Sequence, residues 1–84
     1  MKLVFSEHAW DEYLYWQKSD RKVAERINKL TRGIERAPFE GIGKPEVLRH
    51  ALSGYWSRRI TDEHRIVYKV EDNTLFIVQL RYHY

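Results

Sequence analysis

The sequence lacks cysteine and has no long hydrophobic run. The missing thiols exclude a disulfide framework and every thiolate metal site, and they fit a reducing compartment. Near the amino terminus the only apolar run is Leu3, Val4 and Phe5, which is too short for a signal peptide or a membrane span. We therefore expect a cytoplasmic protein with no membrane partner.

Glycine and proline are also scarce, but they are concentrated in one place. Pro38, Gly41, Gly43 and Pro45 lie within nine residues, from position 37 to position 45. They remove backbone donors or permit positive φ where no regular element could continue, so we expect one long loop here. Because long loops in compact proteins are often functional, the cations and carboxylate that follow this one are candidates for a site.

What the sequence does contain is a hydrophobic fraction of 43% over 84 residues, with twelve aromatic side chains. A chain this short buries roughly 60% of its unfolded surface and cannot support two cores, so we expect a single domain spanning residues 1–84. The net charge of +3, from 15 basic and 12 acidic residues, favours a polyanionic partner.

The first half of the chain has the pattern of a short strand followed by two helices. Residues 2–5 predict the strand, and Ser6 is a suitable N-cap for a helix that begins at Glu7. Residues 19 and 20 form the next cap, and an apolar stripe at helical spacing continues to about Arg36. The stripe consists of Val23, Ile27, Leu30 and Ile34.

From position 53 the period changes to that of strands. The runs YWSRRI, HRIVYKV and TLFIVQLRYHY are separated by turn-forming residues, which predicts an antiparallel meander and an α+β fold. Alternation predicts two sets facing the helices: Ile66, Tyr68 and Val70, and Phe76, Val78, Leu80 and Tyr82. The opposite face would carry Arg65, Val67 and Lys69, together with Ile77, Gln79, Arg81 and His83, and Arg59 could join it.

Several of these side chains have the chemistry needed to cleave RNA. The reaction requires a base for the 2′-hydroxyl proton, an acid for the leaving 5′-oxygen, and cations for the charge that builds on phosphorus. Glu46 can serve as base and His83 as acid, while Arg49, Arg59 and Arg65 can grip phosphate. The simpler alternatives are that Glu46 is a surface carboxylate at the start of a strand and His83 an exposed terminal residue.

Other types of site are less well supported. His8, His50 and His64 could ligate zinc only with Glu7 or Glu63, and no HxxxH or CxxC spacing exists, so we expect neither a metal nor another cofactor. His64 follows a turn and carries no clear functional signal. Four large rings crowd the first helix (Trp10, Tyr13, Tyr15 and Trp16), and because they cannot all face one small core, some should be covered by a second chain.

Four segments of the chain resemble the YoeB toxins, within the RelE/ParE superfamily. They are WDEYLYWQ (10–17), PFEGIGKPEVLRH (38–50), LSGYWSRRITDEHRIVY (52–68) and RYHY (81–84). The resemblance implies an α+β fold in which two N-terminal helices pack on a twisted antiparallel β-sheet. It also implies an endoribonuclease, free of metal, that cleaves messenger RNA in the decoding site of the 70S ribosome.

The resemblance also assigns roles to residues. It implies Glu46 as general base, Arg65 as transition-state stabiliser and His83 as general acid, with Tyr84 completing the site. The family usually has lysine where this chain has Arg49, which keeps the charge but cannot give up a proton, so a phosphate-gripping role remains. We assign Lys44, His50 and Arg59 to substrate binding as well.

The partners implied are an antitoxin of the YefM/Phd type and a second copy of the chain, as a homodimer. Operator DNA would be bound only in complex with the antitoxin, with the toxin as corepressor. Two rival readings share the fold or the charge: a ParE-like toxin that inhibits a topoisomerase without chemistry, and a non-catalytic RNA- or ribosome-binding module.

Overall fold

A computed structural model describes residues 1–82 of the chain. The chain forms two helices and five strands. The sequence predicts all of them, in this order, except the two-residue strand that follows the long loop. The elements are β1 (Lys2–Phe5), α1 (Glu7–Ser19), α2 (Arg21–Arg36), β2 (Glu46–Val47), a 3₁₀ turn (His50–Leu52), β3 (Trp56–Arg59), β4 (Arg65–Glu71) and β5 (Thr74–Gln79).

Both helices begin at the predicted caps. The Ser6 hydroxyl accepts a hydrogen bond from the Ala9 amide, at 3.0 Å, and Asp20 Oδ1 accepts from the amides of Lys22 and Val23. Each cap satisfies amides that have no partner within the helix. All four residues of the predicted stripe of α2 are buried, which confirms the helix and the face that it turns to the core.

The sheet has the strand order β1-β5-β4-β3-β2. Strands β3 to β5 form the predicted antiparallel meander, and β2 extends it by pairing with β3. Strand β1 pairs with β5 in parallel, so the sheet is mixed. The two helices pack on one face of this sheet, and the α+β fold class is confirmed. No helix within the described residues 1–82 is long and apolar enough to cross a membrane.

One part of the predicted alternation is wrong. In β5 the core residues are Leu75 and Ile77, which are fully buried, rather than Phe76 and Val78. The cause is a bulge: Tyr68 pairs with Ile77 but Val67 pairs with Gln79, so Val78 is an extra residue that shifts the alternation. The run is apolar at both parities, which is why the pattern alone did not reveal the shift.

The rings of α1 divide between the core and the surface. Trp16 is buried, and its indole N–H donates to the Leu80 carbonyl oxygen at 2.8 Å. Trp10 and Tyr15 are 45% and 41% exposed. The expectation that these rings cannot all enter one small core is therefore confirmed.

Candidate active site

The face of the sheet opposite the helices carries Glu46 on its edge strand, β2. Glu46 pairs with Ser57 of β3, which pairs with Val67 of β4, which pairs with Gln79 of β5. Directly opposed residues project to the same face, so these four side chains form one row. Ser57 and Val67 are only 3% and 1% exposed. These two residues are therefore covered, whereas Glu46 beside them is exposed.

The next row on this face consists of two arginines. Arg59 pairs directly with Arg65 across β3 and β4, and both lie two residues along the strands from the row of Glu46. The usual strand spacing and rise place the Glu46 and Arg59 Cα atoms roughly 8 Å apart, and the Glu46 and Arg65 Cα atoms roughly 12 Å apart. Extended Glu and Arg side chains can meet at one phosphate group over such separations.

This arginine pair has an electrostatic cost. Like charges directly opposite each other in a sheet are destabilising, and the sequence places two permanent cations there. An anion bound between them would turn that repulsion into attraction, since a guanidinium can present two parallel N–H groups to a phosphate. The pair therefore has the character of an anion-binding element.

The Arg65 side chain is held by the turn that precedes β4. Its Nη1 donates to three carbonyl oxygens of that turn, those of Thr61 (2.8 Å), Asp62 (3.1 Å) and His64 (3.1 Å). The turn itself is fastened by the Thr61 hydroxyl, which accepts from the amides of Glu63 and His64. One nitrogen thus anchors the guanidinium.

The loop over residues 37–45 is organised by a buried arginine, Arg58, on the core side of β3. Arg58 is fully buried and its partners are four neutral oxygens. They are the carbonyl oxygens of Ala37 (2.5 Å), Glu40 (2.8 Å) and Ile42 (3.2 Å) and the hydroxyl of Tyr68 (3.1 Å). A single guanidinium therefore holds three carbonyls of the loop that leads to Lys44 and Glu46.

Tyr68 completes this network. Its hydroxyl accepts from Arg58 Nε and donates to the Pro38 carbonyl oxygen at 2.7 Å. Burial raises the pKa of the Tyr68 phenol above its ordinary value, and Arg58 beside it opposes part of that rise. The phenol therefore remains a hydrogen-bond donor to the loop well into the alkaline range.

The end of the loop is fixed by its contact with β3. Gly43 has a φ of +86°, and a Cβ there would lie 2.7 Å from a methyl carbon of Leu30. The Arg59 amide donates to the Gly43 carbonyl oxygen at 2.7 Å. Only glycine can bring the backbone so close to α2 with this conformation. The contact therefore fixes the position from which the chain continues to Lys44 and Glu46.

Four of the predicted site residues are brought to one edge of the sheet. Lys44, Glu46, Arg49 and His50 are all exposed, on the loop, on β2 and on the segment after it. Leu48 is buried between them, and its amide donates to the Tyr55 carbonyl oxygen at 2.9 Å. A shallow cavity of about 340 Å³ runs along this segment, lined by Glu46, Val47, Leu48, Arg49, His50 and Leu52.

After β5, hydrogen bonds and a cation–π contact hold residues 80–82 against the rest of the protein. The Leu80 amide donates to Glu12 Oε1 at 2.8 Å, and Gln79 Nε2 donates to the Arg81 carbonyl oxygen at 2.8 Å. The Arg81 guanidinium stacks 3.8 Å above the Tyr15 ring. Tyr82 then bonds to residues 64 and 65 at the start of β4. His83 and Tyr84, which the sequence predicts as catalytic, lie outside the described residues.

Comparison with known proteins identifies the family. The family model of the YoeB-like toxin of bacterial type II toxin–antitoxin systems matches residues 5–84. Toxin YoeB of Escherichia coli K12 is 58% identical over 84 residues, which cover 100% of both chains. The chain belongs to the YoeB-like toxins. The resemblance predicted from the sequence is thereby confirmed.

Solved structures of YoeB proteins have the same fold as this chain. The YoeB/ParE toxin from Agrobacterium tumefaciens superposes with a TM-score of 0.98 at 50% identity, covering 100% of both chains. YoeB of Staphylococcus aureus has been solved in complex with YefM, with a TM-score of 0.93 at 46% identity, and as a dimer, with a TM-score of 0.94 at 47% identity. The chain is covered completely in both, and 98% of each of those chains is matched.

For this YoeB-like toxin, the structure places the predicted residues within 1–82 in two groups. Glu46, Arg59 and Arg65 lie on adjacent rows of the sheet, and Lys44, Arg49 and His50 lie around the exposed edge beside β2. The role of each in substrate binding or catalysis stays a prediction. Among residues 1–82, no three His, Asp or Glu side chains lie together as they would around a metal ion.

Two residues of the YoeB-like site escaped the sequence-based reasoning. Arg58 alternates with Trp56 and Ile60, which are apolar positions of the core side, so its parity was a usable signal of burial. The sequence gives no functional signal for His64, yet its ring accepts a hydrogen bond from the Tyr82 amide. A lone histidine after a turn gives no such indication in the sequence.

Proposed function

We propose that this YoeB-like toxin is an endoribonuclease that cleaves messenger RNA in the A site of the bacterial ribosome, without a metal ion, and so inhibits translation. The observation that carries the proposal is the placement of Glu46 beside the Arg59–Arg65 pair on one open face of the sheet. The carboxylate supplies a general base, and the two arginines supply positive charge to stabilise the charge that builds on phosphorus.

In the proposed reaction the ribose 2′-oxygen attacks the adjacent phosphorus. Glu46 accepts the 2′-hydroxyl proton, and the P–O bond to the 5′-oxygen of the next nucleotide breaks. His83 donates a proton to that leaving oxygen, so the products are a 2′,3′-cyclic phosphate and a free 5′-hydroxyl. Arg65 stabilises the charge that builds on the phosphorane, and Tyr84 completes the site at the chain end.

Substrate binding is assigned to the cations around this centre. Arg59 opposes Arg65 directly, and Lys44, Arg49 and His50 are exposed along the neighbouring edge. The cavity beside β2 is shallow, which favours an RNA that is already held in place by another body over one that the toxin must bind alone. We therefore infer that the ribosome presents the message and that free RNA is cleaved weakly.

The partners proposed are those of the relatives. Because YoeB of S. aureus forms a complex with YefM and also a dimer, we infer a YefM/Phd-type antitoxin and a homodimer for this chain. The toxin would act as corepressor, contacting operator DNA only through the antitoxin. The exposed rings of Trp10 and Tyr15 and the basic face give a folding acidic segment places to bind. A cytoplasmic location follows from a ribosomal substrate.

The decisive experiment is cleavage of a programmed message on bacterial ribosomes. Glu46→Gln and His83→Gln are compared with the wild type and with Glu71→Gln. Glu71 is an exposed carboxylate at the far end of β4, roughly 20 Å along the strand from Arg65. We expect cuts in the A-site codon that end in a 2′,3′-cyclic phosphate or its opened form. The rate should fall about 10²- to 10⁴-fold in each site variant and remain unchanged in Glu71→Gln.

The main rival is a toxin that binds a topoisomerase and performs no chemistry, which the same fold would permit. A folded wild type that makes no cuts on ribosomes, together with full toxicity of Glu46→Gln and His83→Gln in cells, would favour that rival. Cleavage lost in the two site variants and kept in the control would exclude it.

A further inference from the structure

Tyr82, the last described residue, is held to the start of β4 through both of its backbone groups. Its amide donates to His64 Nδ1 at 2.7 Å, and its carbonyl oxygen accepts from the Arg65 amide at 3.1 Å. Residues 64 and 65 are neighbours, so Tyr82 is joined to the start of β4 as a residue of a paired strand would be. In a regular strand pair both acceptors would be backbone carbonyl oxygens, whereas here one acceptor is the side-chain atom His64 Nδ1.

The conformation of Tyr82 makes these bonds necessary. Its φ is +60°, which is the left-handed region that a bulky side chain seldom adopts. Such a conformation persists only where several contacts with the surrounding structure hold it in place. The hydrogen bonds with His64 and Arg65 are two of these contacts, and the bond from Gln79 Nε2 to the Tyr82 carbonyl oxygen, at 3.4 Å, is a third.

His64 is itself fixed in one orientation. Its amide donates to the Thr61 hydroxyl, and its ring meets the ring of Trp16 edge to face, with the centroids 4.8 Å apart. The opposite contact is with the Tyr82 ring, at 5.4 Å. Because Nδ1 accepts a hydrogen bond from an amide, the imidazole carries its proton on Nε2 in this arrangement.

We propose that His64 is a positioning residue of the active site. By accepting the hydrogen bond of the Tyr82 amide on Nδ1, it fixes residue 82, from which the chain continues to His83 and Tyr84. His64 itself touches no substrate. The inference rests on the proposed ribonuclease function for its catalytic consequence, whereas its structural part, the fixing of residue 82, can be tested without any activity.

Two substitutions separate this role from simple packing. His64→Phe keeps an aromatic ring between Trp16 and Tyr82 but removes the acceptor. His64→Asn removes the ring but places a carbonyl oxygen close to where Nδ1 stood. If His64 only fills space, the phenylalanine variant should behave like the wild type. If the hydrogen-bond acceptor matters, the asparagine variant should behave like the wild type and the phenylalanine variant should not.

The first readout is hydrogen exchange of the Tyr82 amide, together with release of the terminal residues by a carboxypeptidase. We expect His64→Phe to speed both by roughly two- to tenfold, the range to which the usual net contribution of one hydrogen bond corresponds. His64→Asn should remain close to the wild type. Equal protection of the Tyr82 amide in His64→Phe and wild type would overturn the proposal. Should the phenylalanine variant fail to fold, His64→Leu removes the acceptor with a smaller apolar side chain.

The second readout is cleavage on ribosomes. We expect kcat to fall by about 10- to 100-fold in His64→Phe, with KM unchanged, because a displacement of about 1 Å in a catalytic group costs rates of that order. His64→Asn should restore most of kcat. Wild-type cleavage with an unaltered kcat in His64→Phe would overturn the positioning role and leave the ribonuclease standing. If the wild type cleaves nothing, the ribonuclease proposal is the one that fails, and the Tyr82 exchange comparison alone then decides whether His64 fixes the chain end.

Discussion

Replacing Arg58 by methionine measures what the buried guanidinium contributes to the loop that leads to Glu46. Methionine keeps an unbranched side chain of similar reach, so the core is not emptied, but all of the donors are lost. The three loop carbonyls and the Tyr68 hydroxyl then lose a charged partner. Since the charge is removed with its donors, no uncompensated cation remains in the core.

The magnitude follows from the number of bonds. Four hydrogen bonds at a net 0.5–1.5 kcal/mol each amount to about 2–6 kcal/mol. Glu40 and Ile42 are exposed, so their carbonyls can bind water in the variant, and the lower part of that range applies. We expect the free energy of unfolding to fall by about 2–4 kcal/mol. For a domain of this length that corresponds to a Tm lower by roughly 10–25 °C.

Urea and thermal denaturation measure this directly, and hydrogen exchange of the Arg59 amide, which bonds the Gly43 carbonyl, reports on the loop. The matched control is Arg32→Met, because Arg32 is an exposed arginine that pairs with Glu35 on the surface of α2. That change should alter stability by less than about 0.5 kcal/mol. An Arg58→Met protein within that margin of the wild type would refute the reasoning, since desolvation of the cation would then cancel its bonds.

Three further outcomes are expected. The pKa of Tyr68 is raised above its ordinary value of 10.0 by burial, so the stability that this phenol contributes is present below pH 10 and lost as pH rises through its folded pKa. Tyr68→Phe should remove that alkaline loss in denaturation curves between pH 8 and 11. Asp20→Ala deletes the cap of α2 and should cost about 1 kcal/mol by thermal denaturation, with Ser19→Ala as control. Removing His83 and Tyr84 should leave the circular dichroism spectrum and Tm almost unchanged while abolishing ribosomal cleavage; a truncated protein that is molten would contradict their assignment to catalysis.

Much of this architecture could be predicted from local signals. The caps at Ser6 and Asp20 and the apolar stripe of α2 fix both helices, because helix starts and helical periodicity are properties of short segments. The loop over residues 37–45 was predictable for the same reason, from its glycines and prolines. Its edge position then brings Lys44, Glu46 and the residues after them to one place.

What could not be predicted depends on contacts between distant segments. The parallel pairing of β1 with β5 leaves no local pattern, and the bulge at Val78 is hidden in a run that is apolar at both parities. The alternation of Arg58 with Trp56 and Ile60 indicates its face, but because arginine is rarely buried completely, that local signal is not sufficient to predict its burial. It becomes possible only because the three carbonyls of a loop fold back over β3, which no window around position 58 reveals.

The two adjacent arginines of β3 lie on opposite faces of the sheet and have different roles. Arg58 faces the core and holds the loop, whereas the next residue, Arg59, faces outward opposite Arg65. Arg59→Gln removes one of two opposed cations without touching the Arg59 backbone, so we expect it to raise stability by up to about 1 kcal/mol. The same change should weaken ribosomal cleavage, chiefly through a higher KM, because a phosphate contact is lost.

Salt dependence distinguishes this explanation from others. Repulsion between exposed charges is screened over about 8–10 Å at 0.1–0.15 M salt and far more strongly at 1 M. The stability gain of Arg59→Gln should therefore shrink at high salt, measured by urea denaturation at both ionic strengths, with Arg32→Gln as the control arginine. A variant that is less stable than the wild type at low salt would mean that Arg59 supports the sheet. The two opposed cations could then no longer be explained as an arrangement that lowers stability but is kept because it binds an anion.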